Sequence, residues 1–193
     1  GINAFIQGAR SVNPDAELRV IWVNSWFDPG KERQASLTLM SQGADVLTHH
    51  TDSTAVVQAA EEKGQYAVGY HSDMSKYGPN AHLTATTHHW GEFYTKTVKQ
   101  VQAGNWKPES LWGGYADDMV SLAPLNKAIP AEVQARIVKM EAQMADGSMH
   151  AFAGPVVDQD GNTVVAAGDN MTDDQLGSMD FYVQGVVSKL PKK

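Results

Sequence analysis

Residues 18–28 (LRVIWVNSWFD), 45–52 (DVLTHHTD), 66–73 (YAVGYHSD) and 82–90 (HLTATTHHW) share one plan: an apolar, strand-like run stops in a cluster of polar and aromatic side chains. Each run then opens into a helix-like segment or a loop. The alternation predicts parallel strands at residues 18–23, 45–48, 66–70 and 82–86, joined by helical crossovers. In an open parallel sheet, ligands bind beyond the carboxyl ends of the strands. Repeated loading of that one edge predicts a small-molecule site.

The intervening segments carry helix signals. Residues 29–42 have Asp28 as N-cap, Pro29 at the first helical position and Gly43 as the stop. Residues 53–63 are capped by Asp52 or Ser53 and stopped by Gly64. Residues 90–103 are expected to bury Phe93, Thr97, Val98 and Val101 before Gly104. The rhythm then changes. A strand within residues 117–124 is stopped by Pro124, and a helix follows Pro130 with Val133, Ile137, Met140 and Met144 on one face. Residues 152–157 and 163–166 flank a hairpin signal at Asp158-Gln159-Asp160-Gly161-Asn162. A last helix is expected over residues 172–187, with Thr172 and Gln175 as a capping box and Leu176, Met179, Val183 and Val186 inward.

The chain has 193 residues, enough for one domain or for one large and one small lobe. Its 15 Lys plus Arg against 22 Asp plus Glu give a formal net charge of -7, and no basic block occurs, so no nucleic-acid partner is expected. No apolar run reaches the roughly 18 residues of a membrane span. Cysteine is absent, which excludes disulfides and thiolate chemistry. The first pattern (Ile2, Phe5, Ile6, Ala9) is a helix with no strand before it, so an N-terminal part of the fold is expected to lie upstream of Gly1.

Trp26 follows a strand end and precedes a helix, which suits stacking on a heterocycle; ordinary loop packing is the alternative. Asp28 is accounted for by capping. His49, His50, His71, His88 and His89 all map to the loaded edge, with Asp52 and Asp73 as short hydrogen-bond acceptors for a ligand or, alternatively, in capping or turn roles. Neighbouring residues on a strand point to opposite faces, so at most one of each adjacent histidine pair, 49/50 and 88/89, can face the crevice. No HExxH or other helical ligand pair occurs, so no metal is expected. There is also no nucleophile elbow, cysteine, Walker loop or dinucleotide fingerprint, so neither an enzyme nor a cofactor is expected. The candidate ligand-binding residues are Trp26, His50, Asp52, His71, Asp73 and His88. A histidine-rich α/β metallohydrolase is the alternative.

A further set of motifs runs through nearly the whole chain: Gly43-Ala44-Asp45-Val46, Val57-Gln58-Ala59-Ala60-Glu61, Gly69 with Ser72-Asp73, Leu83-Thr84-Ala85, Trp90-Gly91, Gly113-Gly114, and Phe152 with Gly154-Pro155-Val156 and Asp158-Gln159-Asp160-Gly161. Their order resembles the Bmp (basic membrane protein) family of ABC-importer substrate-binding proteins, whose relatives include purine nucleoside receptors. The resemblance implies a periplasmic-binding-protein-like (type I) α/β fold, in which two lobes close on a ligand. Residues 1–107 would be a C-terminal-type lobe. Residues 108–193 would be hinge-crossing elements, partly belonging to an N-terminal-type lobe. It also implies a purine base or nucleoside as ligand, an ABC permease as partner, and a place in the periplasm or, lipid-anchored, on the outer face of the cell membrane. Trp26 stands where the family's aromatic residue stacks on the purine. The family's ribose-holding Asp in a G-x-D-S-D stretch is replaced by His71, and His88 aligns with its pocket lysine. These departures favour a free base over a nucleoside.

Overall fold

A computed structural model describes residues 1–191. Helices α1 (Ile2–Arg10), α2 (Pro29–Ser41), α3 (Ala55–Lys63), α4 (Trp90–Gln102), α5 (Ala131–Ala145) and α6 (Asp173–Gly177) alternate with strands β1 (Val46–Thr48), β2 (Tyr66–His71), β3 (His82–His88), β4 (Val120–Leu122), β5 (Val156–Val157) and β6 (Thr163–Val165). The chain forms two compact units: residues 23–148, and residues 1–22 with 149–193. By their contacts, α1 groups with the tail and α5 with the sheet.

In the larger unit the sheet runs β1-β2-β3-β4, with helices on both faces. The first three strands are parallel, with Val46 opposite Tyr66 and His71 opposite Thr87. Strand β4 is antiparallel to β3, pairing Leu122 with Thr86, so Pro124 does stop a strand. The helices are placed by local chemistry. Asp28 caps α2 by accepting the Lys31 N–H at 3.0 Å, a contact worth about 1 kcal/mol. Gly64, at φ 66°, ends α3 in the left-handed region. Val57, Ala59 and Ala60 are fully buried, and Val56, Val57 and Ala60 pack with Leu47, Ala67, Met74 and Ala81 as the core of this unit. Helix α4 departs from expectation: none of its residues is buried, and Val98 and Val101 are exposed.

The smaller unit is built around Ile6, Val156, Val165, Met171, Tyr182, Val183 and Val186. Asn3 ties α1 to the tail by donating to the Phe181 carbonyl at 2.8 Å and accepting the Val183 N–H at 3.1 Å. The hairpin forms as expected, with β5 antiparallel to β6. Two expectations need correction. The run 18–23 is not a strand: only Leu18 finds a ladder partner, Val186, while Ile21 and Trp22 remain exposed. The helix expected over residues 172–187 stops at Gly177. Its capping box forms as read, with Thr172 and Gln175 exchanging hydrogen bonds. Beyond it the chain bends at Phe181, Val183 bridges Asp158, and Gly185 turns at φ 99° before Val186 bridges Leu18. Val183 and Val186 are buried all the same, in the core of this unit.

Candidate functional site

Because β1, β2 and β3 are parallel, their carboxyl ends share one edge. His50 and Asp52 follow β1, Tyr70 and His71 end β2, and His88 ends β3. Their side chains form one connected cluster. The Tyr70 ring lies 4.1 Å from that of His50, 3.8 Å from that of His71 and 5.5 Å from that of His88. Asp52 Oδ1 is 3.2 Å from His71 Nε2, and His71 Nδ1 is 3.3 Å from His88 Nδ1. Trp26 reaches the cluster through His50, with ring centroids 6.2 Å apart. Trp26 is 69% exposed, so most of its flat face is free to stack on a ligand rather than committed to packing.

Backbone strain marks the centre of the cluster. His71 has φ 68°, a left-handed conformation costing a non-glycine residue about 1–3 kcal/mol. That conformation ends the strand and brings the imidazole against both Asp52 and His88.

The adjacent histidines part, although His49 and His50 follow β1 and His89 follows β3, outside the strands. His50 joins the cluster, whereas His49 turns away and lies 2.9 Å from the Thr51 carbonyl through Nδ1. His88 joins it, whereas His89 is held by Ser121 Oγ at 2.8 Å and Asp118 Oδ1 at 3.2 Å. Burial lowers the pKa values of His50 and His88, with added repulsion from His71 in both. This favours the neutral imidazole, which offers one donor and one acceptor.

Asp73 has a different place. It accepts the Ser75 N–H at 2.8 Å in a turn and lies 4.0 Å from Nδ1 of the buried His82. The turn bond is the first cause of its lowered pKa. Of the six sequence candidates, Trp26, His50, Asp52, His71 and His88 converge; Asp73 is occupied locally.

Two contributors escape sequence reading. Tyr70 sits at the middle of the cluster, and only its position as the penultimate residue of a strand hints at this. Glu32 is 2% exposed and accepts from Ser53 Oγ at 2.6 Å, Thr51 Oγ1 at 2.7 Å and the Asp28 N–H at 3.0 Å. Burial pushes its carboxyl up, but the hydrogen bonds from Ser53, Thr51 and Asp28 outweigh this and hold it below the ordinary glutamate value. Together with the Asp52 N–H, which donates to the Trp26 carbonyl at 2.8 Å, Glu32 fastens the Trp26 loop to the segment after β1. The spacing of Asp28 and Glu32 at the start of a helix was the available signal.

Chemically, the cluster is an aromatic wall with imidazole and carboxylate groups able to donate and accept. Among the described residues no three histidine, aspartate or glutamate side chains converge as metal ligands. It suits binding of a flat polar heterocycle.

Residues 1–149 match the family model Bmp, described as ABC transporter substrate-binding protein PnrA-like. The chain is 45% identical to a purine-binding protein of Brucella abortus, over 100% of this chain and 55% of that protein. It is 31% identical to a provisionally named ABC transporter glucose-binding protein of Haloferax volcanii, over 98% of this chain and 46% of that one. Among solved structures, a transcriptional activator of the comK gene from Bacillus halodurans aligns with TM-score 0.66 and 26% identity, covering 75% of this chain and 52% of the other. A solute-binding protein of an ABC transporter system from Conexibacter woesei shares the fold, with TM-score 0.59 and 20% identity over 77% of this chain and 52% of its own. The chain thus spans about half the length of the curated relatives it matches.

Proposed function

From the premise that the chain belongs to the Bmp family of ABC transporter substrate-binding proteins, we propose that it captures a purine-type heterocycle, in preference a free base, for delivery to a membrane permease. Proteins of this family bind small molecules and work with ABC permeases, and the bacterial ones act outside the cytoplasm. In the proposed site Trp26 stacks on the ring, and His50, Tyr70 and His88 form its polar and aromatic wall. Asp52 and His71 orient that wall. The protein acts as a binder and not as an enzyme, in the periplasm or on the outer face of the membrane, where a lipid anchor would hold it.

The observation that carries this reading is the convergence of Trp26, His50, Asp52, Tyr70, His71 and His88 on one strand-end edge. The name of the Brucella abortus relative supports purine as the ligand class. The preference for a base over a nucleoside rests on His71. An imidazole makes one good hydrogen bond to a hydroxyl, where a carboxylate accepts two charge-assisted ones from a ribose. Calorimetric titration of the full-length protein with adenine and adenosine tests it. Tighter binding of adenine is the expected result, and a tenfold preference for adenosine would refute the base assignment.

A further inference from the structure

Two of the imidazoles in this cluster are wired to a carboxylate, and the wiring dictates how each can hydrogen-bond. Asp52 Oδ1 lies 3.2 Å from His71 Nε2, and the two Nδ1 atoms of His71 and His88 lie 3.3 Å apart. A bare ring nitrogen 3.2 Å from an ionised carboxylate would be repelled by it, so the proton of a neutral His71 is placed on Nε2, the nitrogen facing Asp52. In a neutral His71 the other nitrogen, Nδ1, is then bare. His88 must donate its Nδ1–H to that atom, which leaves His88 Nε2 bare in turn. We infer that Asp52, acting through His71, makes His88 Nε2 an obligatory hydrogen-bond acceptor, so that the site selects heterocycles presenting an N–H or NH2 group there. The ligand class in this inference rests on the purine reading; the tautomers do not.

The groups facing His71 are His50 and Asp52 from the segment after β1, Tyr70 beside it on β2, and His88 at the end of β3. His88 also has Tyr70 at 5.5 Å and His89 next along the chain. The structure makes Asp52 and His71 positioning residues and His88 the residue that reads the ligand.

Long-range proton–nitrogen NMR correlation on histidine-labelled full-length protein tests this at about pH 8, where an ordinary imidazole is neutral. Without ligand, the expected forms are Nε2–H for His71 and Nδ1–H for His88. His71→Ala should abolish the Nδ1–H form of His88. Addition of adenine as the probe should shift the bare Nε2 resonance of His88 towards the protonated position. An Nε2–H form of His88 in the wild type, or an Nδ1–H form that survives His71→Ala, overturns the inference. So does adenine that binds without moving that resonance. The expected tautomers with no adenine binding at all would uphold the wiring and count against the purine reading alone.

Discussion

Replacing Glu32 with alanine removes the acceptor at which the Trp26 loop and the segment after β1 meet. Three donors lose their partner: the Asp28 N–H at 3.0 Å, Thr51 Oγ1 at 2.7 Å and Ser53 Oγ at 2.6 Å. Hydrogen bonds to a charged acceptor are worth about 1.5–3 kcal/mol each. The two hydroxyls can turn towards other acceptors, whereas the backbone N–H cannot. A net loss of about 3–5 kcal/mol follows, since the carboxylate's own desolvation is relieved. Glu32→Gln keeps an acceptor for Asp28 and lets the hydroxyls accept from its amide, so it should lose about 1–2 kcal/mol. Urea unfolding of the full-length protein, followed by tryptophan fluorescence, measures both. A Glu32→Ala loss below about 1 kcal/mol would refute the reasoning. pH adds an independent check. The folded pKa of Glu32 is depressed, so its contribution is present above the ordinary glutamate value of about 4.3 and is lost as pH falls through the folded value. The gap between wild type and Glu32→Gln should therefore close in acid. A gap that widens below that value would contradict the sign.

Other perturbations separate binding from folding. Trp26→Ala should weaken adenine binding roughly ten- to a hundredfold, about 1–3 kcal/mol, with little change in melting temperature because the side chain is exposed; calorimetry beside a melting curve checks this, and a large stability loss with unchanged affinity would make Trp26 structural. His71→Asp should favour adenosine over adenine selectively, and equal gains for both would count against the reading of His71 as the absent ribose acceptor. Gly154→Ala should destabilise the unit holding β5 and β6 by about 3 kcal/mol or more, because the added Cβ would fall on the Ala166 carbonyl oxygen; proteolysis confined to that unit is the readout. Dialysis against a mild chelator should leave less than one equivalent of any transition metal, and one retained equivalent of zinc would promote the metallohydrolase alternative.

What could be read from sequence was whatever local chemistry determines. Capping by Asp28, the stop at Gly64, the Thr172 capping box and the Asp158–Asn162 hairpin all depend on neighbours in the chain, and all are present. The separation of His50 and His88 from His49 and His89 matches the expected alternation only in outcome, because His49, His50 and His89 lie beyond the ends of β1 and β3, while Tyr70 and His71, neighbours on β2, both enter the cluster. Strand 18–23 and helix 172–187 were misread because partners far along the chain decide them. Leu18 meets Val186, and Asn3 captures the backbone at Phe181 and Val183. Glu32 was missed for the same reason: its partners Thr51 and Ser53 lie across a helix and a strand from it. Asp73 takes the turn role that its residue type also allowed, with one carboxylate oxygen accepting the Ser75 N–H.

The central claim is that a purine base binds at the cluster of Trp26, His50, Tyr70, His71 and His88. A crystal structure of the full-length protein with adenine tests it most directly. The account predicts the base stacked on Trp26, with a ring N–H or the amino group donating to His88 Nε2. Adenine bound elsewhere with this cluster empty, or a site that takes glucose and rejects adenine, would contradict it.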